Sequence, residues 1–235
     1  MSAPVTSAQL AALAAFDTPT LCNALEQIVP ALQASGYTHR PLVCGFPEQA
    51  PVVGFARTAT IRAKQPPAGS RDNVRALRNA YYRYVDAGAK PSIVVIEDTD
   101  GVDAGYGAFW GEVQSAIHRG LGAIGLVTNG SVRDIAQWAP GFQFLAGSIS
   151  PSHAYANLVS YGEPVTVCGM RVQDGDIVHA DRHGAVVVPP EVVARIAEAA
   201  ERVAAREARI LEVARAPGCT AEKLAQVLEA LDRIH

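Results

Sequence analysis

Residues 111–134, "GEVQSAIHRGLGAIGLVTNGSVRD", carry the reading of the fold. The first part, residues 111–119, reads as a helix fed by a glycine-rich loop. "AIGLVTN" at 123–129 follows as a continuous apolar run of the length expected for a strand buried on both faces. "VRDIAQWA" at 132–139 then reads as a short helix. At the junction, Ser131-x-x-Asp134 is a relative of the capping box, with Asp134 at the third helical position. Capping accounts for Ser131 and Asp134 but leaves Arg133 unexplained, because a cation in a first helical turn opposes the helix dipole. A guanidinium there is better employed facing an anion. The carboxylate beside it can hold a hard divalent cation through oxygen.

Working outward, "GYGAFWG" at 105–111 places three glycines between a strand and that helix. The spacing misses the dinucleotide fingerprint G-x-G-x-x-G by one residue, and the gap from the strand is too long for its tight first turn. What survives is a helix start with free N–H groups, which attracts an anion such as a carboxylate; a plain surface loop explains the stretch equally well. Glu112 in the first turn serves the helix dipole or, beside an anion loop, a metal-bound water.

The same alternation of helix and strand continues in both directions. "DTPTLCNALEQI" at 17–28 opens a helix, with Thr18 able to cap and Pro19 at the first helical position. "VVGFARTATIRA" at 52–63 alternates and is rich in β-branched residues, as a strand requires. A helix ended by Gly88 and the buried strand "SIVVIED" at 92–98 come next. "FQFLAGSIS" at 142–150 reads as another strand. Between Pro164 and Pro189 the pattern turns all-β, with "QDGD" and "DRHG" as hairpin turns. His179, Asp181 and His183 alternate there and could mimic a zinc triad, but Asp181 reads first as a turn residue bonding its own backbone. Residues 191–215 keep apolar side chains at helical spacing, and a second helix starts behind Thr220. This order describes one α/β domain, residues 1–190, with a C-terminal helical arm, 191–235, packing on the domain or on a neighbouring subunit.

Composition narrows the function. The 235 residues are 49% hydrophobic and 18% charged, with a net charge of -3, so the overall field gives no reason to expect nucleic acid. Arg71, Arg75, Arg78 and Arg83 on one helix read as a solvated face. Four dispersed cysteines without a C-x-x-C fit free thiols in the cytoplasm. The start of the chain lacks the basic region of a signal peptide, and no apolar run approaches the roughly 20 residues that span a bilayer. A G-x-S-x-G elbow and a phosphate-binding P-loop are both missing.

The Gly111–Asp134 motif, with "TPTLCNAL", "GFARTATI" and "PVTVCGMRVQDGDIVHADRHGAVVVP", resembles the signature of the 4-hydroxy-4-methyl-2-oxoglutarate aldolase and ribonuclease activity regulator A (RraA)-like family, in the family's order and over nearly the whole chain. The resemblance implies an α/β/α sandwich related to swivelling phosphohistidine domains. It implies a homotrimer or hexamer with sites at subunit interfaces. In the aldolase branch it makes Arg133, Asp134 and Glu112 catalytic. Asp134 would hold Mg2+ or Mn2+, with Glu112 acting through water and Glu207 approaching from a neighbouring subunit. Arg133 and the backbone of Gly107, Ala108, Phe109, Trp110 and Gly111 would bind a small 2-oxo acid. Asn23 and Asn129 stand where the family commonly has Asp, and Glu112 where Asp is common.

The chemistry expected is a class II-type pyruvate aldolase that also decarboxylates oxaloacetate. No lysine lies in the signature span, as a Schiff-base aldolase would need. The alternatives are a non-enzymatic regulator binding an RNA-processing enzyme, or a lyase or hydrolase for a different small acid.

Overall fold

The computed structural model describes residues 5–232; the first four residues of the N-terminal stretch and the last three of the expected arm lie outside the described residues. In chain order the elements are α1 (Ser7–Leu13), α2 (Thr18–Ile28), β1 (Val43–Cys44), β2 (Val52–Arg62), α3 (Arg71–Ala87), β3 (Ser92–Asp98), β4 (Ala108–Trp110), α4 (Glu112–Gly120), β5 (Ala123–Val132), β6 (Gln143–Ile149), β7 (Asn157–Tyr161), β8 (Val165–Val167), β9 (Met170–Val172), β10 (Ile177–Asp181), β11 (Gly184–Val188), α5 (Val193–Arg215) and α6 (Ala221–Asp232). The fold is α/β, as read from the sequence.

The main sheet runs β1-β6-β5-β3-β2-β10-β11, with β4 beside β5 and β7 beside β2. Strands β2, β3, β5 and β6 are parallel. The register of β3 explains its unbroken apolar run. Val94 and Ile96 join the core under α3, while Ile93 and Val95 enter a second core on the opposite face. All four are fully buried, and burial of each such side chain stabilises by about 1.5–3 kcal/mol.

Helices α3 and α4 follow β2 and the β3–β4 segment, and their side chains meet in the first core. Tyr81 of α3 donates its hydroxyl to His118 Nε2 of α4 at 2.9 Å, and His118 Nδ1–H donates to the Gln114 carbonyl at 2.7 Å. Buried without a charge partner, the His118 imidazole is pushed down to about 4 and stays neutral. The opposite face is covered by the β8–β9 hairpin, through Val165, Val167, Met170 and Val172.

A third core joins the two ends of the chain. Val193, Ile196, Ala199, Ala200 and Val203 of α5 pack with Leu10, Leu13, Leu21 and Leu25 of α1 and α2. Asp17, not Thr18, caps α2, its side chain accepting from Thr20 N–H at 2.9 Å. Thr18 is drawn away by the sheet: its N–H donates to Asp181 and its hydroxyl meets His179 Nδ1 at 3.0 Å. No helix among the described residues is long and apolar enough to cross a membrane.

A candidate active site at the end of strand β5

The site grows from the carboxyl end of β5, the end of a parallel sheet where loops gather ligand-binding groups. Up to Thr128, β5 pairs with β3. Beyond that point β4 takes the neighbouring place, with Ala108 opposite Ser131 and Trp110 opposite Val132. Sheet pairing continues through Ser131, so Ser131 is a strand residue and caps nothing; its Oγ is buried with no hydrogen-bond partner among the described residues. The expected helix at 132–139 is a three-residue 3-10 turn, Ile135–Gln137. The capping-box reading of Ser131 and Asp134 is therefore corrected: a long-range ladder displaced a local motif.

Arg133 is held just past the strand, its N–H donating to the Trp110 carbonyl at 2.9 Å. Asp134 then turns left-handed, at φ 54° and ψ 40°, a conformation that costs an L-residue about 1–2 kcal/mol. Strain of this kind gathers where a side chain must be aimed. Arg133 Nε lies 3.5 Å from Asp134 Oδ2, and the two side chains are 37% and 39% exposed. An ion pair this open contributes little to stability, which leaves both groups available to a ligand. Gly111 makes room for them. A Cβ at that position would stand inside 3.0 Å of the Asp134 carboxylate and 3.1 Å from Arg133 Cγ.

Arg133 and Asp134 face a cavity of about 240 Å³ whose walls include Ala108, Phe109, Gly111 and Val113. Gly107 and Trp110 are not among the cavity walls: Gly107 is pressed beneath the His153 carbonyl, while the Trp110 carbonyl accepts from the Arg133 N–H and its ring is buried 4.4 Å from the His118 ring centroid. The Ala108 N–H is already given to the Ser152 carbonyl at 2.8 Å. The unspent donors are those of the first turn of α4, whose N-cap Gly111 offers no side chain. Glu112 sits in that turn, exposed, and is not among the cavity walls. Glu207 accepts from Asn23 Nδ2 at 3.4 Å within its own chain and lines a separate hollow between α2 and α5.

Four polar cavity residues were missed in the sequence, among them Gln114 of α4. Arg78 of α3, read as a solvated cation, lines this cavity together with His153 and Asn157. Its signal was present: Val74, four residues earlier and so on the same helix face, lines the cavity too. Asn157 arrives through the pairing of β7 with β2, and His153 on the loop before β7, whose Ser152 carbonyl accepts from Ala108 N–H; local periodicity announces neither.

Asn129 braces the site from behind. Its Oδ1 accepts from Asp98 N–H at 2.8 Å and its Nδ2 donates to the Asp98 carbonyl at 2.9 Å, extending the ladder between β3 and β5. An amide makes both bonds, whereas an ionised carboxylate could accept but not donate. Burial raises the Asp98 carboxyl, against N–H bonds from Gly105 and Asp100 that lower it. The alternating triad at 179–183 is structural. His179, pushed down to about 4 by burial, meets the Phe16 carbonyl through Nε2 at 3.1 Å, and Asp181 accepts from His183 N–H.

Among the described residues, no three His, Cys, Asp or Glu side chains converge on a metal position. A cation beside Asp134 would rest on that one carboxylate, completed by water and by ligand oxygens. That donor set fits Mg2+ or Mn2+, which keep water and share substrate oxygens, and not zinc, which asks for nitrogen and sulfur.

The chain is similar to proteins of known sequence and structure. It is 33% identical over 107 residues to an uncharacterized protein of Methanocaldococcus jannaschii, the match covering 45% of this chain and 51% of that protein, about half its length. A crystal structure of an uncharacterized protein from Pseudomonas syringae superposes with a TM-score of 0.73 at 24% identity, covering 97% of this chain and 96% of that one. Streptomyces coelicolor RraAS2, described as an unusual member of the RNase ES inhibitor RraA protein family, superposes with a TM-score of 0.67 at 20% identity, over 88% and 98% of the two chains. Likenesses at these identities speak for the fold alone. The pattern of the RraA-like family, described as Aldolase/RraA, matches residues 18–187, and the chain belongs to that family.

Proposed function

We propose that the protein is a divalent-metal-dependent carbon–carbon lyase acting on a small 2-oxo acid, of the pyruvate aldolase type, and that it also decarboxylates oxaloacetate. One observation carries this reading: a guanidinium and a strained, half-exposed carboxylate, Arg133 and Asp134, meet at one cavity with an uncapped helix start beside them. The family description itself couples an aldolase with RraA.

Asp134 would hold Mg2+ or Mn2+, and the bound ion supplies Lewis-acid stabilisation of negative charge on the keto oxygen. Arg133 binds the carboxylate or keto oxygen through its planar fork and stabilises the pyruvate enolate left when the C3–C4 bond breaks. The first turn of α4 favours the same anion through its free N–H groups. A water between the two carboxylates would relay the proton of the C4 hydroxyl to Glu112, which stands in the first turn of α4 at the edge of the cavity, as the C3–C4 bond breaks to give the enolate and a carbonyl product. Loss of carbon dioxide from oxaloacetate leaves the same enolate and needs no such proton transfer.

The exposed apolar residues Val102, Tyr106, Val113, Ile149 and Tyr155 lie in segments at this end of the sheet, a rim suited to a second copy of the chain. The family resemblance, not this rim, is what suggests a homotrimer or hexamer in which Glu207 of a neighbouring copy would approach the site; the rim supports a contact between copies. All four cysteines are free thiols, consistent with a cytoplasmic protein.

The test is pyruvate release from oxaloacetate and from 4-hydroxy-4-methyl-2-oxoglutarate with Mg2+ or Mn2+, in the native protein and in Asp134→Ala. The reading expects metal-dependent turnover that Asp134→Ala abolishes while the protein stays folded. Undiminished turnover in Asp134→Ala refutes it. Metal-independent capture of a ribonuclease by a catalytically silent native protein would favour a regulator.

A further inference from the structure

A second hollow, of about 260 Å³, lies beside the Arg133 cavity. Val74, Asn157 and Leu158 belong to the walls of both. Beyond that shared ridge the walls become mainly apolar, with Pro66, Pro67, Leu77 and Val159, and the polar groups Arg62, Gln65 and Asn73 at the sides. A pyruvyl head with its carboxylate on Arg133 would sit in the first hollow, and a substituent beyond the breaking bond would reach the second across the shared ridge of Val74, Asn157 and Leu158.

The pattern is a charged head site joined to an apolar trough. Arg133 and Arg78 bear on the first hollow, whereas two helix residues (Val74, Leu77), two residues of β7 (Leu158, Val159) and two prolines form most of the second. The Arg62 Nε is spent on Thr99 Oγ1 at 3.2 Å. Val159 leaves a large apolar side chain 43% exposed in this trough.

We propose that the trough is a tail subsite and that the preferred substrates are elongated 2-oxo acids carrying an apolar chain or ring beyond C4. The placement of the head rests on the lyase reading above; the trough itself is read from its walls. Burial of each methylene is worth about 0.8 kcal/mol, or about fourfold in affinity.

Calorimetric titration of the full-length protein with Mg2+ present tests this, using straight-chain 2-oxo acids from pyruvate to 2-oxooctanoate. The expected result is a Kd falling about fourfold per methylene until the trough is filled. Val159→Trp, at an exposed strand position, and Asn73→Phe, at an exposed position lining only the second hollow, should each flatten that series, with folding checked by circular dichroism. Equal affinities across the series overturn the proposal, as does unchanged binding of the longest acid in both folded variants. Pyruvate release from oxaloacetate is measured in parallel. A rising series without turnover supports the trough and rejects the lyase reading. Turnover with a flat series does the reverse.

Discussion

Replacing Gly111 by alanine isolates the one close approach on which the candidate site depends. The backbone at Gly111 is extended, at φ -166° and ψ -159°, so alanine adopts it without conformational cost. The difficulty is contact. The new methyl would stand inside 3.0 Å of the Asp134 carboxylate and 3.1 Å from Arg133 Cγ, where ordinary van der Waals contacts fall at 3.4–4 Å. The Asp134 backbone is held through its carbonyl, which accepts from Gln137 N–H at 3.0 Å, and its neighbour Arg133 is tied to Trp110. The half-exposed carboxylate is therefore the group that yields, by about an ångström. A displacement of that size costs roughly 100-fold in rate, about 2.7 kcal/mol of transition-state stabilisation. The assay is kcat/KM for Mg2+-dependent pyruvate release from oxaloacetate, with Tm and circular dichroism as the record of folding. The expected outcome is a folded protein that has lost about two orders of magnitude. A folded Gly111→Ala protein at the native rate would refute the placement of Asp134 in the chemistry.

Stability should fall on acidification from about pH 6.5 toward 4. His118 and His179 are each held down to about 4 against an ordinary 6.5, so the unfolded chain takes up these protons first, at a cost near 3 kcal/mol for each histidine. Raised Asp98 offsets part of the loss and lowered Asp181 adds to it at still lower pH; a urea-unfolding free energy flat between pH 7 and 4.5 would contradict the assignment of both imidazoles as buried and neutral. Asn129→Asp puts a carboxylate oxygen against the Asp98 carbonyl in place of a donor, and should lower stability by about 1–3 kcal/mol at pH 7, with partial recovery as the new acid is protonated. Asp134→Gly relieves the left-handed backbone and should be about 1 kcal/mol more stable than Asp134→Ala by denaturant unfolding, while both lack activity. Arg133→Lys keeps the charge but loses the planar fork and should still reduce kcat/KM severely.

Elements whose signal is local were legible. The apolar runs at 92–98 and 123–129 became β3 and β5 because a strand buried on both faces needs no alternation. Gly88 ended α3, and Asp181 turned back on its own backbone as its side-chain chemistry suggests. Arg133 was singled out because a cation conflicts with a helix start, and the conflict disappears in the structure: the segment continues the sheet instead of opening a helix. Ser131-x-x-Asp134 was misread for the same reason, since pairing with β4 and β6 supplies the backbone bonds that a cap would have supplied.

What the sequence determined by itself was the long helices and the buried strands, the apolar faces and the adjacency of Arg133 and Asp134, because periodicity and chain neighbourhood are properties of a few consecutive residues; the short strands β1, β4 and β7 and the end of β5 escaped it. What only the tertiary structure decided was the cavity: Arg78 from α3, His153 and Asn157 from around β7, and a carboxylate seated against Gly111. Those groups are separated by tens of residues along the chain and are brought together by strand pairing and close packing, and neither leaves a mark on the spacing of neighbouring residues.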